Sequence, residues 1–499
     1  MDFAKVNADD KERVSRMIKK ILAAVIASGM ICVSCSGGLA ETAGSGAEDV
    51  VKPPKYKSVA VHDPSVIRAE DGTFYIFGSH MAAAVSEDLI SWTSISRDAQ
   101  GGCTLVENVQ EQMKEALSWA KTTTFWAPDV QRLPDGRYAM YYCTCEGSSP
   151  LSAMGLAIAD RPEGPYVDQG VFLKSGMTGY NANYYPNVVD PCAFFDKNGR
   201  LWMVYGSYSG GIFILEMDPE TGFPLEGQGY GKKLLGKNHA RIEGPYILYS
   251  PETDYYYLFL SFGGLDSNGG YNIRVCRSRE PDGPYEDSLG QEMIRCGGAN
   301  GTFFHDADYE PYGVKLMGGY KFETVESDTN KMVQAFRSPG HNSAYYEEET
   351  GRYFLIFHTR YANSGESFSV RVHQMFMNEE GWPVVSPLRY TGEGREAPRT
   401  EHRPGVYKIL FHEHDINSVE HVSQVAVLHD DGTVDGACGG TWESTEDGTV
   451  RLTLNGETYT GVFTRALDGA QSAWVTCFTA LNEKGEAVWG IRTDDDGRQ

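Results

Sequence analysis

The chain has 499 residues and a formal net charge of −24 at pH 7. This length predicts more than one folded unit, and so acidic a surface repels phosphates, which argues against nucleic acid as a partner. The 56 glycines, 29 tyrosines and 22 phenylalanines are typical of a β-rich fold with many tight turns.

The beginning of the chain has the pattern of an export signal. Lys19 and Lys20 precede an apolar run, Ile21 to Val33, that is too short to span a membrane as a stable anchor. We therefore expect residues 1–35 to form a signal peptide, and the protein to be secreted or held at the cell surface. Cys35 follows a small residue at the end of this run, so two outcomes stay open. One is ordinary cleavage, and the other is attachment of a lipid to this cysteine, as in bacterial lipoproteins.

A diverged repeat follows a tether, predicted at residues 36–56 from its Gly, Ala, Ser and Pro content. Five apolar, aromatic segments are each preceded by turn residues that suit a tight hairpin. They are TFYIFGS (73–79), RYAMYYC (137–143), LWMVYGS (201–207), YYYLFLS (255–261) and YFLIFHT (353–359). Their spacing favours propeller blades of several strands each, and the long last gap predicts an insertion at 286–330.

A second short segment lies upstream of each of these strands. The five segments are HDPSVI (62–67), WAPDVQ (126–131), VDPCAFF (189–195), EGPYIL (243–248) and HNSAYY (341–346). Each pair of segments predicts a hairpin, and the first strand of a propeller blade lies closest to the central axis. The repeat therefore predicts that Asp63, Asp129, Asp190, Glu243 and His341 surround one axis.

The fold prediction is thus all-β, with a five-bladed β-propeller over residues 57–397. Residues 398–499 contain short alternating strands separated by Gly or Asp turns. They predict a small separate C-terminal domain, either a β-barrel or a β-sandwich. No catalytic set of residues stands out in this domain.

Three carboxylates at the blade starts suggest chemistry on a glycosidic bond. That reaction needs one acid on the leaving oxygen and a base or nucleophile on the opposite face, and Asp63 and Glu243 are the candidate pair. Asp190 would be a third carboxylate in the same funnel. Crowded carboxylates raise one another's pKa, so we expect Asp190 to keep Glu243 protonated and to orient it.

The ordered set of motifs HDP, WAPD, VDP, EGPY and GHNS resembles glycoside hydrolase family 43. It is most similar to the endo-α-1,5-L-arabinanases of that family, in the larger form with a C-terminal β domain. The resemblance implies Asp63 as the general base, Glu243 as the general acid and Asp190 as the pKa modulator. It also implies an inverting mechanism, in which the two carboxyls stand about 6.5–9.5 Å apart.

The resemblance further implies a metal ion in the central channel. His341, in GHNS, matches a histidine that helps to hold this ion, usually assigned as Ca²⁺. Calcium prefers oxygen ligands, so we expect one ion held by His341 and largely by water molecules.

Several weaker expectations concern substrate binding. Trp126 is as consistent with stacking on a sugar as with a place in the propeller core, and Phe125 lies beside it in the sequence. Asn187 could present an amide to the substrate, and Asp129 could bind a sugar hydroxyl or only close the funnel. Ser207 is expected at the rim.

Three functions stay open from the sequence. The first is an endo-acting arabinanase that binds arabinan or arabino-oligosaccharides and acts as a monomer, with no contact to a membrane except through the lipid anchor. The second is an exo-acting arabinofuranosidase or β-xylosidase with the same three carboxylates. The third is a glycan-binding surface lipoprotein without catalysis, against which the complete set of three carboxylates argues.

Overall fold

The structure is a computed structural model that describes residues 54, 56–147, 150–176, 181–332 and 334–493. The predicted signal peptide and nearly all of the predicted tether lie outside these residues. None of the helices in the described ranges is long and apolar enough to cross a bilayer.

Blades I to IV are sheets of four antiparallel strands that follow one another in chain order. Blade I contains β1 (Ser65–Arg68), β2 (Phe74–Gly78), β3 (Ala82–Ser86) and β4 (Thr93–Ser96), and blade II contains β5 (Asp129–Arg132), β6 (Tyr138–Cys145), β7 (Ser152–Ala159) and β8 (Val167–Ser175). Blade III contains β9 (Cys192–Phe195), β10 (Leu201–Ser207), β11 (Gly211–Met217) and β12 (Lys232–Leu235), and blade IV contains β13 (Ile242–Ser250), β14 (Tyr255–Phe262), β15 (Asn272–Ser278) and β16 (Val314–Met317).

Blade V is the widest sheet, and helical structure is confined to short segments. Blade V contains β17 (Tyr320–Lys321), β18 (Ala335–Glu347), β19 (Arg352–Tyr361), β20 (Phe368–Met377) and β21 (Pro383–Val385). The helical segments are α1 (Val109–Gln112), α2 (Lys114–Ala120) and 3-10 turns at Ser79–Met81, Met293–Arg295, Asp306–Asp308 and Thr400–His402. The five predicted hairpins are confirmed, because each upstream segment pairs with the apolar strand that follows it.

The prediction of an insertion at 286–330 is only partly correct. Strand β16 lies within that segment and pairs with β15 as the outer strand of blade IV. The sequence pattern failed here because β16 is short and far from β15 in the chain. The residues that do lie outside the sheet, between β15 and β16, form a long loop.

Five apolar clusters close the ring, one between each pair of adjacent blades. Strand β19 shows how: Leu355 and Phe357 pack towards blade IV, whereas Phe354 and Ile356 pack towards blade I. Side chains of a strand alternate between its two faces, so a strand in the middle of a blade contributes to the clusters on both sides of that blade. Blade V therefore joins blade I in the same way that the other blades join their neighbours.

The C-terminal domain is a closed barrel, which decides between the two forms that the sequence left open. Its strands are β22 (Gly405–His412), β24 (Gln424–Leu428), β25 (Thr433–Gly436), β26 (Gly440–Ser444), β27 (Thr449–Leu454), β28 (Glu457–Asp468), β29 (Ala473–Asn482) and β30 (Ala487–Arg492). The intervening strand β23 (His421–Val422) leaves the barrel and pairs in parallel with β17 of blade V.

The barrel is fixed to blade IV by buried polar contacts. Arg274 Nη2 donates to the His414 carbonyl oxygen at 2.6 Å, and Lys315 Nζ lies 2.6 Å from Asp415 Oδ1. Leu410 and Trp489 of the barrel also join the apolar cluster between blades IV and V. The barrel thus supports the blade that carries Glu243.

Candidate active site

The same backbone turn recurs where four of the five blades meet the axis. Asp63, Asp190 and His341 have φ values of 56°, 57° and 44°, and Gly244 has a φ of 57°. The left-handed region is unusual for residues other than glycine, although Asp and Asn adopt it more readily than most. The equivalent turns bring one polar group from each of these blades to a common centre.

Asp63 is surrounded by histidines. Its Oδ2 lies 2.7 Å from His62 Nδ1 and also accepts a hydrogen bond from Ser79 Oγ, while its Oδ1 lies 3.1 Å from His341 Nδ1. Its backbone N–H donates to His358 Nδ1 at 3.2 Å. Burial raises the pKa of the Asp63 carboxyl, but His341 and His62 outweigh burial and hold it well below its usual range. Asp63 is therefore ionised and able to accept a proton.

An arginine lies behind these histidines. The rings of His62 and His358 stack with their centroids 4.0 Å apart, and Arg360 Nη2 lies 3.2 Å from His62 Nε2. Arg360 Nε also donates to Glu366 Oε2 at 2.7 Å. His62, Asp63 and His358 have ligand atoms close enough to share a metal ion. The guanidinium beside them already supplies a positive charge, so this set does not fit a metal.

Glu243 is buried among hydroxyl groups instead. Ser207 Oγ donates to its Oε2 and Tyr271 OH to its Oε1, both at 2.9 Å. Burial raises the pKa of Glu243 above its ordinary value, although the positive charge of His341 and both hydrogen bonds oppose the shift. The arrangement favours a carboxylic acid that keeps its proton and can deliver it.

Asp190 connects to Glu243 through the backbone. Its Oδ2 accepts a hydrogen bond from the Gly244 N–H at 3.2 Å. Burial, together with the nearby Glu243 and Asp63 charges, raises the pKa of Asp190 to about 8, even though His341 opposes the shift. A Cβ atom at position 244 would lie 3.0 Å from the His341 ring, so the glycine permits this close arrangement.

His341 has the character of a metal ligand. Burial lowers its pKa, but the negative charges of Asp63 and Asp190 outweigh burial and raise it to about 9. A ligating imidazole is neutral, so a bound cation would have to displace the proton from Nε2. Its Nδ1 faces Asp63, whereas its Nε2 has no hydrogen-bond partner among the described residues. A metal-binding histidine commonly directs its other ring nitrogen to a carboxylate, and nearby carboxylates attract a cation. The residues present therefore fit one cation held by His341 Nε2.

The other predicted site residues lie in different surroundings. Phe125 is fully buried and packs against Tyr142, so it offers no surface to a sugar, in contrast to the expectation. Ser207 is also buried and contacts Glu243 instead of forming part of a rim. Trp126 is half-buried beside the cluster between blades II and III. Asn187 is nearly buried, with its amide 3.8 Å from Cys145 Sγ.

Asp129 joins three blades below the site. Its Oδ1 accepts a hydrogen bond from Ser65 of blade I, and its Oδ2 accepts one from the Ala193 N–H of blade III at 2.7 Å. Burial raises its pKa to about 6. Because both oxygens have partners inside the ring, the geometry favours the second of the two expectations, closure of the funnel.

Sequence reasoning missed three contributors to the site: His62, Tyr271 and His358. His358 lies inside β19, where the sequence pattern indicated an apolar strand. Ionisable side chains are almost never fully buried unless they are paired. A histidine and an arginine within the run FLIFHTRY are therefore a signal that could have indicated a second polar layer.

Comparisons with known proteins decide the family. The sequence matches Glycosyl hydrolases family 43 over residues 57–307 and a C-terminal lipocalin-like domain of that family over residues 387–490. The chain belongs to glycosyl hydrolases family 43.

Similar proteins cover most of the chain. It is 54% identical to the extracellular endo-alpha-(1->5)-L-arabinanase 2 of Bacillus subtilis, over 88% of this chain and 94% of the relative. It is 45% identical to an extracellular endo-alpha-(1->5)-L-arabinanase of Thermotoga petrophila, over 89% and 95%. A crystal structure of the family 43 protein YxiA from Bacillus licheniformis superposes with a TM-score of 0.85 at 53% identity, over 88% of this chain and 99% of that one.

Proposed function

We propose that this family 43 enzyme hydrolyses α-1,5-L-arabinofuranosidic bonds within arabinan chains. The observation that carries the proposal is the contrast between two buried carboxyls at one centre, Asp63 beside histidines and Glu243 beside hydroxyls. Pairs of titratable groups whose environments separate their pKa values identify a base and an acid. The substrate class follows from the similar proteins, which are named as endo-arabinanases.

In the proposed reaction, ionised Asp63 takes a proton from a water molecule. The oxygen of that water attacks the anomeric carbon and forms the new C–O bond. The bond to the leaving oxygen breaks, and Glu243 donates its proton to that oxygen. The product has inverted configuration because the two carboxyls act on opposite faces. This mechanism requires space for the water between Asp63 and Glu243.

Asp190 is proposed to position the acid and not to exchange protons with the substrate. Its contact with the Gly244 N–H fixes the turn that carries Glu243. Two carboxylates in one partly dry cavity also repel each other, so the two carboxyls resist being ionised together, in line with the raised pKa of both Asp190 and Glu243. Both effects keep the acid protonated and aligned.

We propose Ca²⁺ as the cation held by His341, with water completing its coordination. When bound, this ion supplies positive charge close to the carboxylates and orders nearby water. His341 itself holds Asp63 in place through Nδ1.

We also propose that the protein is exported and acts as a monomer on plant arabinan or arabino-oligosaccharides. The two relatives are named extracellular, and the apolar run near the start of the chain supports export. Lipid attachment at Cys35 stays a prediction.

Product analysis on linear, debranched arabinan tests the proposal. The wild-type protein should release a mixture of short oligosaccharides early in the reaction, and the matched variant Glu243→Gln should release almost none. Free arabinose as the first product would favour the exo-acting alternative. Binding without any release would favour the glycan-binding alternative, and release by both proteins alike would contradict the role of Glu243.

A further inference from the structure

A row of four rings leads outward from Glu243. We call it the aromatic shelf, and its members are Tyr208, His239, Phe303 and Phe304. Ring centroids are 5.6 Å apart for Tyr208 and Phe304, 4.2 Å for Phe304 and Phe303, and 4.6 Å for Phe303 and His239. The two phenylalanines belong to the loop between β15 and β16.

The inner end of the shelf lies at the catalytic centre. Tyr208 follows Ser207, which donates to Glu243, and its hydroxyl donates to the Gly263 carbonyl oxygen at 2.8 Å. Burial, and then the charge of Glu243, raises the pKa of the Tyr208 phenol well above its ordinary value. The shelf is therefore continuous with the site that holds the acid.

The outer end of the shelf is open to solvent. Phe303 is 64% exposed and Phe304 is 44% exposed. Single exposed apolar residues are common, but two adjacent phenylalanines beside a catalytic centre form a patch of the kind that binds ligands. Phe304 also has a φ of 52°, a conformation that is strained for a bulky side chain and is concentrated at functional sites.

Several bonds hold the loop in place, so the exposed rings are not the result of a loose segment. Arg241 Nε donates to Asp306 Oδ1 at 3.0 Å, and Asn238 Nδ2 donates to the Gly298 carbonyl oxygen at 2.8 Å. The Ala299 N–H donates to Asp308 Oδ2 at 2.9 Å. An anchored loop thus presents the two exposed rings.

The chemistry of the shelf fits a neutral sugar chain. Flat apolar faces bind the C–H faces of sugars, and burial lowers the pKa of His239, which keeps its ring uncharged. We propose that the aromatic shelf is a remote binding subsite for arabinofuranose units of a long chain, beyond the bond that is cleaved. This inference rests on the proposed function and adds to it the part of the protein that distinguishes long from short substrates.

Binding by calorimetry in a Glu243→Gln background tests the subsite. The added double variant Phe303→Ala/Phe304→Ala should weaken binding of arabinohexaose by about tenfold and change binding of arabinobiose by less than about twofold. The conservative pair Phe303→Tyr/Phe304→Tyr should retain affinity for arabinohexaose. Leu289→Ala removes an apolar side chain that is 50% exposed on the same blade, and it should have no effect on either ligand.

Equal losses for both ligands, or no loss for arabinohexaose, would overturn the subsite. If the parent protein binds arabinohexaose while only the shelf result fails, the proposed function survives. If the parent binds neither oligosaccharide, the proposed substrate and the subsite both fail. With wild-type catalytic residues, the double alanine variant should lose kcat/KM on linear arabinan and retain it on arabinotriose.

Discussion

The axis ends of blade I and blade IV each hold a buried carboxyl, but the two surroundings have opposite character. Asp63 contacts three imidazole rings and is favoured as an anion, whereas Glu243 receives two neutral hydroxyl groups and is favoured as an acid. Burial acts on both in the same direction. The neighbouring side chains, and not the depth of burial, therefore determine which carboxyl acts as the base and which as the acid.

The largest effects are expected when each of the two carboxyls is replaced separately by its amide. Glu243→Gln and Asp63→Asn should each lower kcat on arabinan by at least about 10²-fold. On an aryl arabinobioside, whose leaving group needs no proton, Glu243→Gln should recover much of its activity, because only its acid is missing. Asp63→Asn should not recover, because no base activates the water.

Asp282→Asn is the control for these two variants, since it removes a partly exposed carboxylate that pairs with Lys232 away from the site. It should leave kcat unchanged. Equal recovery of both site variants on the aryl substrate would mean that the two carboxyls do not have separate roles.

Removal of the proposed cation would remove a positive charge close to the carboxylates. Chelation should lower kcat by about tenfold or more, and added Ca²⁺ should restore it, measured as initial rates on arabinan. His341→Gln should have low activity that neither treatment changes, because the ligand atom is missing. Wild-type activity and melting temperature that are both insensitive to chelation would contradict a functional ion.

A smaller change concerns only the acid. Tyr271→Phe removes a hydrogen bond that lowers the pKa of Glu243, so this pKa should rise. Glu243 acts when protonated, and its activity is lost as pH increases through its pKa. The alkaline limb of kcat/KM should therefore move to higher pH, with kcat reduced only a few-fold.

Tyr257→Phe is the matched control for this pH experiment. It removes the hydroxyl of another buried tyrosine, which bonds Thr253 at the outer end of blade IV. It should cost about 1 kcal/mol of unfolding free energy and leave the pH profile in place. An unmoved alkaline limb in Tyr271→Phe would show that Tyr271 does not tune the acid.

The repeat pattern was sufficient to predict the propeller and the central position of Asp63, Asp190, Glu243 and His341. It failed where the phase of the repeat changes. Asp129 follows Pro128, whereas Asp63 and Asp190 precede their prolines. Relative to its proline, Asp129 corresponds to Ser65, the first residue of β1, and not to Asp63 in the left-handed turn before that strand. Asp129 therefore lies within its strand, where its carboxylate bonds the neighbouring blades.

Contacts between strands that are distant in the chain could not be predicted from the sequence for a different reason. Tyr271 directly precedes β15 of blade IV, and His358 lies in β19 of blade V. In both strands the apolar periodicity describes the core and not the residues that face the axis. The exposed rings of Phe303 and Phe304 depend on a loop whose path no periodicity specifies. Local patterns define strands, but they do not define which strand ends meet.

The left-handed backbone at Asp63 and Asp190 affects how the site should be probed. Asparagine adopts this conformation readily, while alanine does so at a cost of about 1–2 kcal/mol. An alanine scan would therefore mix loss of a carboxylate with distortion of the turn that presents it. Isosteric amides separate the chemistry of these aspartates from the geometry of the chain that carries them.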